Sequence, residues 1–217
     1  MMLNLLILGK PGAGKGTQAT KLLKHYHLAH ISTGDIYREE IAKETPIGIM
    51  ANEYVRKGFL VPDDITNDIV EKVLRERRYP HGFMLDGYPR TKAQAEALDK
   101  VLDSLGIGLT AVINIDISNQ ILIRRMTGRR ICSNCQATYH INSYPPKKPS
   151  ICDFCGGELI QREDDLESSI LNRVAIYNEK TKPLLDYYSD KGLLKTFDGE
   201  LSPTALLKQI VNYLERK

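Results

Sequence analysis

Apolar residues recur along this chain in two rhythms. Short runs at Leu3 to Leu8, Ala29 to Ser32, Gly82 to Leu85, Val112 to Asp116 and Leu193 to Phe197 read as strands. Longer stretches between them repeat at helical spacing, as in Gln18-Ala19-Thr20-Lys21-Leu22-Leu23. The alternation predicts an α/β fold, a parallel β-sheet covered by helices on both faces, with its ligand site at the carboxyl ends of the strands. Helix starts are also legible. Pro62-Asp63-Asp64 precedes an amphipathic run, Thr91-Lys92-Ala93-Gln94 reads as a capping box, and Ser202-Pro203 puts proline at a first helical position.

Two stretches break the rhythm. Thr33 to Leu60 holds two short helical patterns with no strand between them, and Gly128 to Asp165 is rich in Pro, Cys, Gly and Tyr but poor in apolar periodicity. Both read as insertions, which leaves a core of residues 1–31, 62–127 and 166–217 and inserted segments at 32–61 and 128–165.

A chain of 217 residues suits one core with appendages. With 30 basic and 27 acidic residues it carries no strong field, so charge alone implies neither a nucleic-acid nor a membrane partner. The amino terminus has no basic stretch ahead of its short apolar run, so no signal peptide or membrane span is expected and the protein is expected to be cytoplasmic.

The first strand runs into Gly9-Lys10-Pro11-Gly12-Ala13-Gly14-Lys15-Gly16-Thr17, which has the G-x-x-x-x-G-K spacing of a phosphate-binding loop. In such a loop backbone N–H groups wrap phosphates and the lysine, here Lys15, acts on the terminal ones as a point charge. Gly16 stands where the general pattern has a hydroxyl for magnesium, and Thr17 follows it. Magnesium is therefore expected to be held through waters and by another carboxylate, for which Asp86 at the end of Phe83-Met84-Leu85 is the candidate. Arg38, Arg90, Arg125, Arg129, Arg162 and Arg173 lie beside loops on the expected ligand side, a distribution suited to the spread charge of phosphoryl transfer. No Ser-His-Asp or Cys-His set is evident, and the five histidines fall at unrelated positions. A nucleotide-phosphate acceptor, with a second pKa of about 6, would need no general base.

Cys132-x-x-Cys135 and Cys152-x-x-Cys155, sixteen residues apart, have the spacing of a four-thiolate zinc site. An iron–sulfur cluster or a redox pair fits the same thiols. The surrounding insertion balances Arg129, Arg130, Lys147, Lys148 and Arg162 against Asp153, Glu158, Glu163, Asp164 and Asp165, so it lacks the excess charge that nucleic-acid binding requires and reads as a stapled lid.

The loop at 9–17, Ser32-Thr33-Gly34-Asp35, Gly58-Phe59-Leu60-Val61-Pro62, Asp86-Gly87-Tyr88-Pro89-Arg90, Gly128-Arg129-Arg130 and the four cysteines together resemble the adenylate kinase family, in its bacterial long form with a zinc-bearing lid, over essentially the whole chain. Gly16 is that family's form of the loop. The resemblance implies reversible, magnesium-dependent transfer of the γ-phosphoryl of ATP to AMP, giving two ADP, by a monomer. It implies an AMP pocket of Thr33, Arg38, Phe59, Leu60, Val61, Gly87, Tyr88, Pro89, Arg90 and Gln94. It implies an ATP site of Gly12, Ala13, Gly14, Lys15, Gly16, Thr17, Arg125, Arg129, Thr138 and Tyr139, with the chain near Gly199 passing the adenine. Arg162 and Arg173 would close on the reacting phosphates, and Cys132, Cys135, Cys152 and Cys155 would hold a structural zinc ion. Two departures stand out: Tyr88 stands where phenylalanine is usual, a change that is harmless if its hydroxyl reaches water, and Gln136 replaces a glycine, which predicts a non-glycine residue at positive φ. A monophosphate kinase of other base specificity, or a zinc-ribbon module that only senses nucleotide, are the alternatives.

Overall fold

The computed structural model describes residues 2–76 and 79–217. Its strands in chain order are β1 (Leu3–Gly9), β2 (Ala29–Ser32), β3 (Gly82–Asp86), β4 (Ala111–Asp116), β5 (Arg129–Cys132), β6 (Thr138–His140), β7 (Leu159–Ile160) and β8 (Leu194–Asp198). The helices are α1 (Lys15–Tyr26), α2 (Thr33–Ala42), α3 (Pro46–Arg56), α4 (Asp63–Glu76), α5 (Lys92–Ser104), α6 (Asn119–Thr127), α7 (Glu167–Ile176), α8 (Pro183–Asp190) and α9 (Pro203–Leu214).

Five strands make one parallel sheet in the order β2-β3-β1-β4-β8. Each stands where an apolar run predicted it, within a residue at either end. All seven residues of β1 are buried, and the pleat divides them between two layers. Leu3, Leu5 and Ile7 pack with Ala19 and Leu22 of α1 and with Leu206, Ile210 and Leu214 of α9. Leu6 and Leu8 pack with Val70 and Leu74 of α4 and with Ala95 and Leu98 of α5. Burying one such side chain contributes about 1.5–3 kcal/mol, whereas an exposed ion pair such as Arg75–Glu71 contributes about 0–1 kcal/mol. The two apolar layers therefore hold the sheet.

The parallel register sets Gly9, Ser32, Asp86, Asp116 and Asp198 along one edge, at the carboxyl ends of the strands. Gly9 is required there, because a Cβ on it would run into the Ile115 carbonyl of the neighbouring strand. The two insertions rise from this edge. The first carries α2 and α3 on a small cluster of Tyr37, Ala51 and Val61, and Ser32, whose Oγ accepts the Asp35 N–H at 3.2 Å, caps α2. The second is a three-stranded antiparallel sheet, β6-β5-β7, around Cys132, Tyr139, Cys152 and Leu159.

Candidate active site

The loop after β1 turns through Gly14, which has φ 96° at the start of α1 and no side chain to cap the helix. The first N–H groups of α1 are thus left facing the loop, the arrangement that receives anions. Lys15 Nζ curls back to donate to the carbonyls of Gly9 at 2.8 Å and Lys10 at 2.9 Å, which in the charged form leaves its third hydrogen for a ligand. Burial lowers the Lys15 pKa to about 7, against the opposing pull of the Asp86 carboxylate. Lys10 reaches across to the Ile117 carbonyl at 2.7 Å and to Asp116 at 3.2 Å, tying the loop to the end of β4. Thr17 is exposed on the first turn of the helix.

Asp86-Gly87-Tyr88-Pro89-Arg90 forms the facing wall, with a cis Tyr88–Pro89 bond. Gly87 is at φ 81°, and a Cβ there would sit 2.9 Å from the Arg90 guanidinium and 3.0 Å from Thr33 Oγ1. The Gly87 carbonyl instead accepts from Arg90 Nε at 2.7 Å and from Thr33 Oγ1 at 2.9 Å. A single cleft is lined by Lys15, Gly58, Leu60, Gly87, Arg90 and Arg173. Val61 is buried beside it and Phe59 is exposed.

Three expectations change here. The capping box forms only by half: Thr91 Oγ1 accepts the Gln94 N–H at 3.1 Å, but Gln94 Oε1 accepts from Arg90 N at 2.7 Å, and its Nε2 donates to Asp63 Oδ1 at 2.7 Å. Asp63 Oδ2 also accepts from Thr91 Oγ1 at 2.7 Å, so a residue read only as a helix start organises the Gln94 amide. The Tyr88 hydroxyl does not reach water; it donates to Asn67 Oδ1 at 2.7 Å and lies 3.1 Å from the Gln94 carbonyl. His30 is not in an unrelated position either. Its ring lies 3.8 Å from Asp86 and 3.9 Å from Asp35, and the Asp86 carboxylate holds its pKa above the usual range against burial.

Arginines from the lid and α7 gather around Asp164 and Asp165, two carboxylates that enter the sequence pattern only as charge. Arg129 grips Asp165 through Nε at 2.6 Å and through its second guanidinium nitrogen. Arg173 bonds Asp164 at 2.7 Å and Asp165 at 3.3 Å. Burial pushes Asp164 up, but Arg173, Arg129 and Arg162 outweigh it and hold the carboxyl below its ordinary value. Burial, reinforced by Arg38 and Arg129, lowers Arg162 to about 10, and its Nε has no hydrogen-bond partner among the described residues. Arg38 pairs with Asp35 on α2. Arg125 stands apart from this cluster, 3.4 Å from the Ala13 carbonyl on the outer side of the loop. Near it the Gly199 N–H bonds the Asp116 carbonyl at 2.8 Å. Thr138 is exposed at the start of β6, whereas the Tyr139 side chain turns into the lid, so it offers a nucleotide only its backbone.

The four cysteine sulfurs lie within 4.8 Å of one another. Four soft donors at that spacing suit a tetrahedral thiolate-binding metal and leave no open position. Gln136, beside the first pair, has φ 59°, as its replacement of glycine predicted.

A family model described as adenylate kinase matches residues 7–193. The chain is 51% identical to an adenylate kinase of Caldanaerobacter subterraneus subsp. tengcongensis over 96% of this chain and 94% of that protein. It is 50% identical to one of Carboxydothermus hydrogenoformans over 99% and 100%, and 49% identical to one of Caldicellulosiruptor bescii over 98% and 99%.

Proposed function

The chain belongs to the adenylate kinase family, and from that premise we propose how its residues divide the work of moving the γ-phosphoryl of ATP to AMP. The reaction is the ATP:AMP phosphotransfer of a nucleoside monophosphate kinase, and it gives two ADP. The observation that carries the assignment of roles is the meeting of Lys15, Arg90 and Arg173 in one cleft at the carboxyl edge of the sheet.

The backbone of Gly12 to Thr17 and Lys15 hold the ATP phosphates, with Arg125 and the chain near Gly199 at the adenine and Arg129, Thr138 and the Tyr139 backbone on the lid side. Thr33, Arg38, Phe59 to Val61, Gly87 to Arg90 and Gln94 form the AMP pocket. Arg90, Arg129, Arg162 and Arg173 surround the transferring group, where charge spreads over its equatorial oxygens in a site from which closure of segments 32–61 and 128–165 expels water. No side chain has to remove a proton, since the acceptor phosphate is largely ionised near neutral pH.

Asp86 suits a water-mediated hold on magnesium: it is a hard oxygen donor at the strand edge whose field reaches Lys15, and Gly16 offers no hydroxyl for direct ligation. When bound with ATP, the ion supplies neutralisation of phosphate charge. The four lid cysteines suit zinc, which would supply folding free energy to a segment with few apolar residues. We assign residues 1–31, 62–127 and 166–217 to the core, 32–61 to AMP and 128–165 to the zinc lid of a cytoplasmic monomer that needs no nucleic-acid or membrane partner. Among the described residues no helix is long and apolar enough to cross a membrane. A coupled assay offering AMP, UMP, CMP and GMP in turn with magnesium and ATP tests the pocket. AMP is expected to be strongly preferred, and preference for another acceptor overturns the assignment.

A further inference from the structure

We propose that Tyr139 is an outer-shell ligand of the lid metal, its hydroxyl donating to the Cys152 sulfur. The inference rests on the reading of the cysteine cluster as a metal site. Tyr139 is 1% exposed, in a lid core otherwise made of Cys132, Cys152 and Leu159. Its ring is fixed by stacking on Tyr144, with centroids 5.6 Å apart and planes 16° from parallel, and by a tilted contact with Phe154. The phenol oxygen accepts the Asp153 N–H at 2.7 Å, which directs its own hydrogen elsewhere. Cys152 Sγ lies 3.5 Å away, within hydrogen-bond reach of a sulfur acceptor. The same sulfur receives the Phe154 N–H at 3.4 Å.

The chemistry gives this donor a purpose. Four thiolates on one divalent ion leave two negative charges in the cluster, and Cys152 is 2% exposed, so water does little to offset the charge on its sulfur. A phenol donor shares that charge and fixes the direction of the sulfur lone pairs, as outer-shell partners of metal ligands do. Tyr139 thereby also couples the metal knuckle to the phosphate side of the lid, because its strand β6 pairs with β5 through Arg130, the neighbour of Arg129.

The full chain is loaded with zinc or cobalt(II) and compared with Tyr139→Phe, which keeps the ring and removes the hydroxyl. Tyr144→Phe serves as a control for ring packing. Competition with a chromogenic chelator is expected to show zinc affinity about 10–100-fold weaker in Tyr139→Phe and unchanged in Tyr144→Phe. In the cobalt protein the thiolate-to-metal charge-transfer band is expected to move to lower energy, a change that loss of packing alone would not produce. Zinc affinity within twofold of the parent and an unmoved band overturn the inference. If the phenylalanine lid takes up no metal, 3-fluorotyrosine at 139 decides: this stronger donor is expected to move the band to higher energy, and an unmoved band overturns the inference. A parent chain that holds no metal at all would instead refute the reading of the cysteine cluster.

Discussion

Arg129 and Asp165, thirty-six positions apart, meet in a two-bonded fork with the carboxylate wholly buried. The fork holds a lid arginine in place before any phosphate arrives, and Asp165 shares the same oxygen with Arg173 from α7. Positioning of this kind is what a transition state of spread negative charge exploits, since the donors need not reorganise during transfer.

Removing that carboxylate strips Arg129 of its ion-pair partner and leaves Arg173 with Asp164 alone. Asp165→Ala is expected to lower stability by about 3–5 kcal/mol, the cost of breaking a buried pair by deleting one partner. Tripolyphosphate should raise the melting temperature of the variant more than that of the parent, because its charge replaces the missing carboxylate. A variant that melts with the parent, with the same response to tripolyphosphate, would show that the fork does not hold the arginines.

The Gln94 amide gives a second test. Gln94→Leu is expected to raise the KM for AMP at least tenfold while the KM for ATP stays within about twofold, because only the monophosphate pocket loses a polar edge. The same change leaves Asp63 Oδ1 and the Arg90 N–H without the Gln94 amide, each at a cost of about 1–3 kcal/mol when buried, although Asp63 Oδ2 keeps Thr91. Stability and AMP affinity should therefore fall together. Loss of stability with an unchanged KM for AMP would assign Gln94 to the start of α5 alone.

Much of this was legible in the residues because the signals are local. Glycine spacing, a strand-ending Asp86 and paired cysteines each announce a geometry within a few positions, and the five apolar runs fix the sheet. Missing were the partnerships made at long range. Nothing near Asp63 in the chain shows that Gln94 and Thr91 will converge on it. Asp164 and Asp165 counted as lid charge until folding set them under Arg129 and Arg173. The resemblance implies an ATP-side place for Tyr139 but not where its side chain turns: in three-residue β6 only alternate side chains face the cysteines, and the register of so short a strand is set by its neighbours.

Lys15 should report nucleotide binding through protons. Its pKa of about 7 lies below the lysine value of 10.5, so the folded chain releases this proton more readily than the unfolded one. The penalty on stability therefore grows as pH falls through 10.5 and levels off below about 7, where both states are charged. Phosphates in the loop restore the cation. Binding of a non-hydrolysable ATP analogue at about pH 8 is expected to take up close to one proton, shrinking toward zero near pH 6. Calorimetry in buffers of different ionisation heat measures this, and Lys15→Met should abolish the uptake and cut turnover by about 10²–10³-fold. Uptake that survives in Lys15→Met would place the titrating group elsewhere.

The lid metal should matter for order and not for the chemical step. Its cysteines leave no open position, and the apolar cluster of the segment they staple is only Cys132, Tyr139, Cys152 and Leu159 with Ala137 against it, too little for a segment of this size to fold by its own core. Metal binding supplies such segments with about 10 kcal/mol in zinc-finger peptides. Cys135→Ser is expected to release about one metal per chain and to lower the melting temperature, with the ATP analogue still bound by the loop after β1. Because Arg129, Arg162 and Arg173 remain, part of the turnover should survive at low temperature and fall away steeply on warming as the lid loses order. Metal analysis, melting curves and turnover against temperature on one preparation measure these together. Loss of turnover at every temperature, in a variant whose lid keeps its protection from proteolysis, would make the ion a participant in the reaction.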